Sequence, residues 1–122
     1  MVPMPDAPLP NEFTIVVSDE DGRVTVRCEG ELDIAVTTAV RDAVIAVLRG
    51  EPDDMALDWT GVTFMDSSGI RLLLQILLLC REHGVDLTWT LSDAARKTLD
   101  LVGIHDALLR EYAARSATRR DD

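Results

Sequence analysis

Between Val24 and Leu48 the apolar residues change their spacing, and that change limits the possible fold more than any other feature of the chain. Val24, Val26 and Cys28 alternate with Thr25, Arg27 and Glu29, the period of a strand with one face inside. From Val36 the period lengthens. Val36, Ala39, Val40, Ala43, Val44, Val47 and Leu48 recur at helical spacing, with Arg41, Asp42 and Arg49 on the opposite side and Gly50 as the stop. Upstream, a β-branched run over 13–17 and the strand over 24–30 flank Asp19-Glu20-Asp21-Gly22, which predicts a hairpin.

Strand and helix patterns continue to alternate downstream. Asp53 and Asp54 bound a short strand over 55–59, and Thr60-Gly61 leads to an apolar approach over 62–65. A helix then begins at Asp66-Ser67-Ser68-Gly69 and runs to Gly84. Residues 85–91 alternate again as a strand, Ser92 is an N-cap for a helix over 93–101, and Gly103 precedes a last helix over 104–114. This order predicts one α/β domain, in which the opening hairpin is antiparallel and strands joined through helices are parallel. The expectation is a mixed central sheet of about five strands with helices packed against it.

With 122 residues, 47% of them hydrophobic, the chain can bury one core without disulfides or metal. The domain is expected over 13–114. Residues 1–12, with Pro3, Pro5, Pro8 and Pro10, read as a flexible tail, and 115–122 as a charged one. A net charge of −10 repels phosphate backbones and anionic headgroups, so neither nucleic acid nor a membrane is an expected partner. The N-terminus has no basic and apolar leader, which predicts a cytoplasmic protein. The longest apolar run, over 72–80 and broken by Gln75, falls well short of the roughly 18 to 20 residues of a membrane span. Cys28 and Cys80 lie far apart without metal-ligand spacing and read as two buried thiols, with a redox pair between them as the alternative.

The segment Phe64-Met65-Asp66-Ser67-Ser68-Gly69-Ile70 passes from strand to helix within a few small or polar residues. Ser67 falls at or beside the N-cap, where a hydroxyl can bond a free amide and the helix dipole stabilises an anion. Composition alone favours a plain helix cap over a modification site. An enzyme is not indicated. There is no Gly-x-Ser-x-Gly elbow or glycine-rich phosphate loop, and neither His83 nor His105 is placed as a base or accompanied by metal ligands. Two further acids stand out: Asp33 after Gly30-Glu31-Leu32, a natural turn or cap residue, and Asp58 between Leu57 and Trp59, expected near the open C-terminal edge of its strand. Arg71, Gln75 and Glu82 mark a narrow wet stripe on the following helix, and leucines flanking it form a candidate partner-binding patch beside Ser67.

Gly30-Glu31-Leu32-Asp33, the strand ending at Asp58, and Phe64-Met65-Asp66-Ser67-Ser68-Gly69, followed by Gly84 and Gly103-Ile104, resemble the STAS domain of bacterial anti-sigma factor antagonists over about residues 13–110. The resemblance implies partner switching that regulates transcription. An unphosphorylated antagonist binds an anti-sigma factor serine kinase and frees a sigma factor; phosphorylation releases it, and a serine phosphatase resets the cycle. The resemblance assigns phosphorylation to Ser67, with Ser68 as the second choice. Asp33, Asp58, Asp66, Gly69, Ile70 and Arg71 are the surrounding, partner-binding positions. No cofactor is implied, since the kinase supplies ATP and magnesium. Two residues depart from the family pattern: Val36 stands where many relatives carry threonine, and Arg71 where some carry a small residue. The alternatives are an adaptor subunit of a transporter or regulatory complex that is not phosphorylated, a nucleotide-binding module, or a serine hydrolase.

Overall fold

The Asp21-Gly22 pair closes the first hairpin. In a computed structural model that describes residues 9–102, both residues hold positive φ, 56° and 86°. That conformation matches the right-handed twist of the flanking strands and is one that Asp-Gly adopts readily. The turn is therefore two residues long, with Glu20 opposite Arg23, tighter than the four-residue turn expected. It joins β1 (Thr14–Glu20) to β2 (Arg23–Leu32) in antiparallel register. Pro10–Glu12, within the expected tail, form a single 3-10 turn. Residues 1–8, Gly103, the helix expected over 104–114 and the tail over 115–122 lie outside the described residues.

Helix α1 (Ile34–Arg49) starts two residues before Val36, because Asp33 caps it. Its stop is at Gly50 as expected, although the left-handed residue is the next one, Glu51, with φ 51°. Strand β3 (Asp54–Met65) follows, then α2 (Ser67–Glu82), β4 (Asp86–Leu91) and α3 (Asp93–Val102). At the end of α2 the amides of Gly84 and Val85 return to the carbonyls of Arg81 and Cys80, which satisfies the last turn.

The strands lie in the order β1-β2-β3-β4, the first pair antiparallel and the other two parallel. This is the mixed α/β sheet that alternating elements require, with four strands among the described residues where about five were expected. Residues 55–59 and 62–65, read from sequence as a short strand and a separate approach, are one strand that passes through Thr60-Gly61. Two register shifts against β2 accommodate the passage: β3 carries an additional residue opposite Arg27 to Glu29, and another opposite Gly30 to Glu31.

The core is continuous. Val36, Val40, Val44 and Val47 of α1 and Leu72, Leu73, Ile76 and Cys80 of α2 are buried together with Val26, Cys28 and Leu32 of β2 and Leu57 and Trp59 of β3. Each fully buried side chain of leucine or valine size contributes about 1.5–3 kcal/mol through removal of apolar surface from water. Among the described residues no charged or polar side chain shares this interior. Among the described residues the charged and polar side chains therefore stand at or near the surface.

Candidate functional site at the paired helix starts

Leu32 and Met65 are register partners at the ends of the parallel strands β2 and β3. The residue after each is an aspartate that caps a helix, so α1 and α2 begin beside one another on one edge of the sheet. Asp33 Oδ1 accepts the amide of Ala35 at 2.9 Å, and Asp66 Oδ1 accepts the amide of Ser68 at 2.9 Å. Both caps are extended, as N-cap residues are. Asp33 and Asp66 thus meet at the site, each holding the first turn of its own helix.

The two serines have different surroundings. Ser68 is half-buried, and its hydroxyl donates to the same Asp66 oxygen that accepts its amide. Ser67, the first helical residue, is exposed and makes no side-chain hydrogen bond among the described residues. The cap is therefore Asp66, with Ser67 one residue inside the helix.

Gly69 and Ile70 turn inward. A Cβ on Gly69 would stand 2.3 Å from Met65 Cγ and 2.9 Å from Leu32 Cδ2, so only glycine lets the first turn of α2 sit this close to the two strand ends. Ile70 is buried at 8% exposure, which makes it a packing residue rather than a contact for a partner. Thr98 of α3 donates to the Met65 carbonyl at 2.8 Å and tethers the strand end immediately before the cap. Sequence reasoning missed Thr98, because nothing local marks a contact 33 residues away.

Asp58 is the displaced candidate. It occupies the fifth position of β3, opposite Arg27 on one side and Thr90 on the other. Seven strand residues, 59–65, lie between it and Asp66, and the eight-position step spans on the order of 25 Å at the usual rise. Its Oδ1 accepts the Thr60 amide at 3.0 Å and the Thr60 hydroxyl at 2.6 Å, closing the first bulge, while Arg27 lies 4.0 Å from Oδ2. The Thr60 hydroxyl, with smaller help from the Thr60 amide and Arg27, holds this carboxyl below its ordinary pKa against the opposing effect of desolvation. The expectation that Asp58 lies near Ser67 is corrected: the strand continues well past it, and the acidic pair at the helix starts is Asp33 and Asp66.

Exposed apolar side chains stand on the elements that start and end at this edge. Ile34 is 71% exposed and Phe64 49%, and Leu74 and Leu78 are exposed on α2. Positions 67, 71, 74 and 78 follow the i, i+4, i+7, i+11 spacing of one helix face, so Ser67, Arg71 and the two leucines form one ridge. Beside the ridge a shallow groove of ≈ 200 Å³ runs between α1 and α2, lined by Thr37, Thr38 and Arg41 on one wall and Ser68, Arg71 and Gln75 on the other. Val36, the departure from the family pattern on α1, is fully buried and faces the core. The exposed Ile34 and Phe64 and the position of Arg41 were not read from sequence; an apolar residue directly after a cap is the one local signal for Ile34.

Among the described residues no histidine stands within reach of Ser67. His83 ends α2, sixteen residues from Ser67 or about 24 Å along the helix, and its Nδ1 lies 2.9 Å from the Leu79 carbonyl oxygen. His105 lies outside the described residues. Among the described residues no group of three His, Cys, Asp or Glu side chains is placed to hold a metal ion, and no helix is long and apolar enough to cross a membrane.

Comparison with known proteins gives this geometry a family. Anti-sigma-F factor antagonist RsfB of Mycobacterium tuberculosis is 28% identical over 64 residues, which are 52% of this chain and 52% of that protein; the match spans about half of the relative's length. The crystal structure of an anti-sigma factor antagonist from Mycobacterium paratuberculosis aligns at a TM-score of 0.66 and 28% identity, covering 80% of this chain and 84% of that one. The anti-sigma factor antagonist SpoIIAA in its unphosphorylated form shares the fold, at a TM-score of 0.62 and 20% identity over 75% of this chain and 82% of that one. The STAS domain model matches residues 14–116, from the first residue of β1 to beyond the end of α3, and this chain belongs to the STAS domain family.

Proposed function

We propose that this protein is an anti-sigma factor antagonist that acts in the cytoplasm as a partner switch. Unmodified, it binds an anti-sigma factor that is also a serine kinase, through the surface around Ser67, and so releases a sigma factor. The kinase brings ATP and magnesium. The Ser67 hydroxyl oxygen attacks the γ-phosphorus, its proton leaves to a base of the kinase, and ADP departs. A serine phosphatase later hydrolyses the ester. In this reading the chain is a substrate and a ligand, with no catalytic group or cofactor of its own.

The observation that carries the reading is the contrast between the serines: Ser68 is engaged by Asp66, while Ser67 presents an exposed hydroxyl at the head of a ridge that continues to exposed Leu74 and Leu78, with exposed Ile34 and Phe64 on the adjoining helix start and strand end. Likeness to two proteins named as anti-sigma factor antagonists supports it. A phosphate adds about −1.5 to −2 charges at the head of this contact ridge, where desolvation under a bound partner and the nearby Asp33 and Asp66 oppose it. Release of the partner follows.

The test is incubation with an anti-sigma factor kinase and ATP, read by intact mass and peptide mapping. One phosphate on Ser67, with none added to Ser67→Ala, is the expected result. Incorporation that persists in Ser67→Ala refutes the assignment. Equal affinity of wild type and Ser67→Asp for the kinase refutes the electrostatic release.

A further inference from the structure

The groove beside Ser67 holds two arginines, one on each wall: Arg41 from α1 and Arg71 from α2. Neither forms an ion pair or hydrogen bond with another side chain among the described residues. Arg49, Arg81 and Arg96 are likewise without an ion pair among the described residues, so what singles out Arg41 and Arg71 is their place on facing walls of the groove beside Ser67. The nearby carboxylates are otherwise directed, since Asp33 and Asp66 turn an oxygen to the amides of Ala35 and Ser68. Arg71 follows Ser67 by four residues on the same helix, a separation of about 6 Å between Cβ atoms, and an anion N-terminal to a cation at this spacing is the favourable order.

We propose that Arg71, assisted by Arg41 from across the groove, is the intramolecular receptor for a phosphate on Ser67. The proposal rests on the functional reading above and adds a second component to the switch. The phosphoserine oxygens accept charge-assisted hydrogen bonds from the Arg71 guanidinium, whose planar fork suits phosphate. Arg41 completes the neutralisation and ties the start of α2 to α1. Phosphorylation thereby withdraws from the partner the two cations that the unmodified groove offers, besides adding negative charge.

The experiment uses the full chain with phosphoserine installed at position 67 during translation, so that no kinase is needed, and follows the phosphate by phosphorus NMR through its second ionisation. In the folded protein that ionisation is expected about half a unit to one unit below its value in the urea-unfolded chain. Arg71→Gln is expected to abolish most of the shift, Arg41→Gln a smaller part, and Arg71→Lys to retain some of it. Arg71 is exposed, so its replacement leaves the core intact. An Arg71→Gln protein whose phosphate titrates as in wild type overturns the proposal, as does a folded wild-type phosphate that titrates at or above its unfolded value. A chain that no anti-sigma kinase modifies refutes the functional reading alone, since this measurement uses phosphate placed independently.

Discussion

Ser68 donates its hydroxyl to Oδ1 of Asp66, the oxygen that also caps its amide, while the adjoining Ser67 stands outside this arrangement. One aspartate thereby makes two neighbouring serines chemically unequal. Ser68→Ala is expected to remain a kinase substrate at Ser67 while losing about 1 kcal/mol of stability with its hydrogen bond. Parallel phosphorylation and urea-unfolding measurements on Ser67→Ala and Ser68→Ala check both halves. Abolished phosphorylation in Ser68→Ala with an intact fold contradicts the assignment.

Each cap holds the start of its own helix through one aspartate oxygen. Asp33→Ala removes the bond to the Ala35 amide, whereas Asp66→Ala removes a cap and also leaves the half-buried Ser68 hydroxyl without its acceptor. A loss of about 2 kcal/mol is expected for Asp66→Ala, from its cap and the orphaned Ser68 hydroxyl together, and of at least about 1 kcal/mol for Asp33→Ala from its cap. Urea unfolding of both variants measures these losses.

Gly69→Ala tests the close approach of α2 to the strand ends. The added methyl would meet Met65 Cγ at 2.3 Å and Sδ at 2.8 Å, and Leu32 Cδ2 at 2.9 Å. Some of these atoms are flexible, so the helix start shifts rather than the domain failing, with a loss of about 1–3 kcal/mol. The clash is shared with Met65, so the double variant Gly69→Ala with Met65→Ala should cost less than the two single losses combined. Additive losses would show that the methyl is accommodated elsewhere.

Asp58 contributes an acid-sensitive part of the stability. Its folded pKa lies below the ordinary value of 3.8, chiefly through the Thr60 hydroxyl, so the folded state binds this proton less readily than the unfolded chain. The contribution is complete above the ordinary carboxylate pKa and is lost as pH falls through the lowered one. Asp58→Asn should therefore flatten the acid limb of the unfolding curve, and carboxyl NMR titration should place Asp58 among the lower values. An Asp58 resonance that titrates at or above 3.8 contradicts this.

Cys28 has the opposite sign. Burial raises its thiol pKa to about 12, aided by the charge of Asp58 and only partly offset by the neighbouring Trp59 indole. The thiol stays neutral and unreactive near neutral pH, and its contribution to stability is lost only as pH rises past the unfolded thiol pKa of about 9 towards 12. Iodoacetamide at pH 8 should leave Cys28 unmodified in the folded protein and alkylate it in urea. Cys28 and Cys80 are both free and buried, so mild oxidation should leave the thiol count unchanged.

Sequence neighbours determined the elements and their ends. Asp21-Gly22 marked the hairpin, Asp33 and the Asp66 segment marked two helix starts, Gly84 marked the end of α2, and Ser92, whose Oγ accepts the Ala95 amide at 3.1 Å, marked the start of α3. These features rest on hydrogen bonds and steric limits spanning a few residues, so residue type and spacing carry them. What tertiary structure alone decided depends on what covers each surface. The pairing of β2 with β3 set Asp33 beside Asp66, and the bulges carried β3 past Asp58, far from the site it was expected to join. The packing of α2 buried Ile70 and left Leu74 and Leu78 outside, although all three are aliphatic residues of one helix. Arg41 and Arg71, thirty positions apart, line one groove because α1 and α2 start from neighbouring strands. A side chain's exposure and its distant partners are properties of register and packing, and no local pattern encodes them.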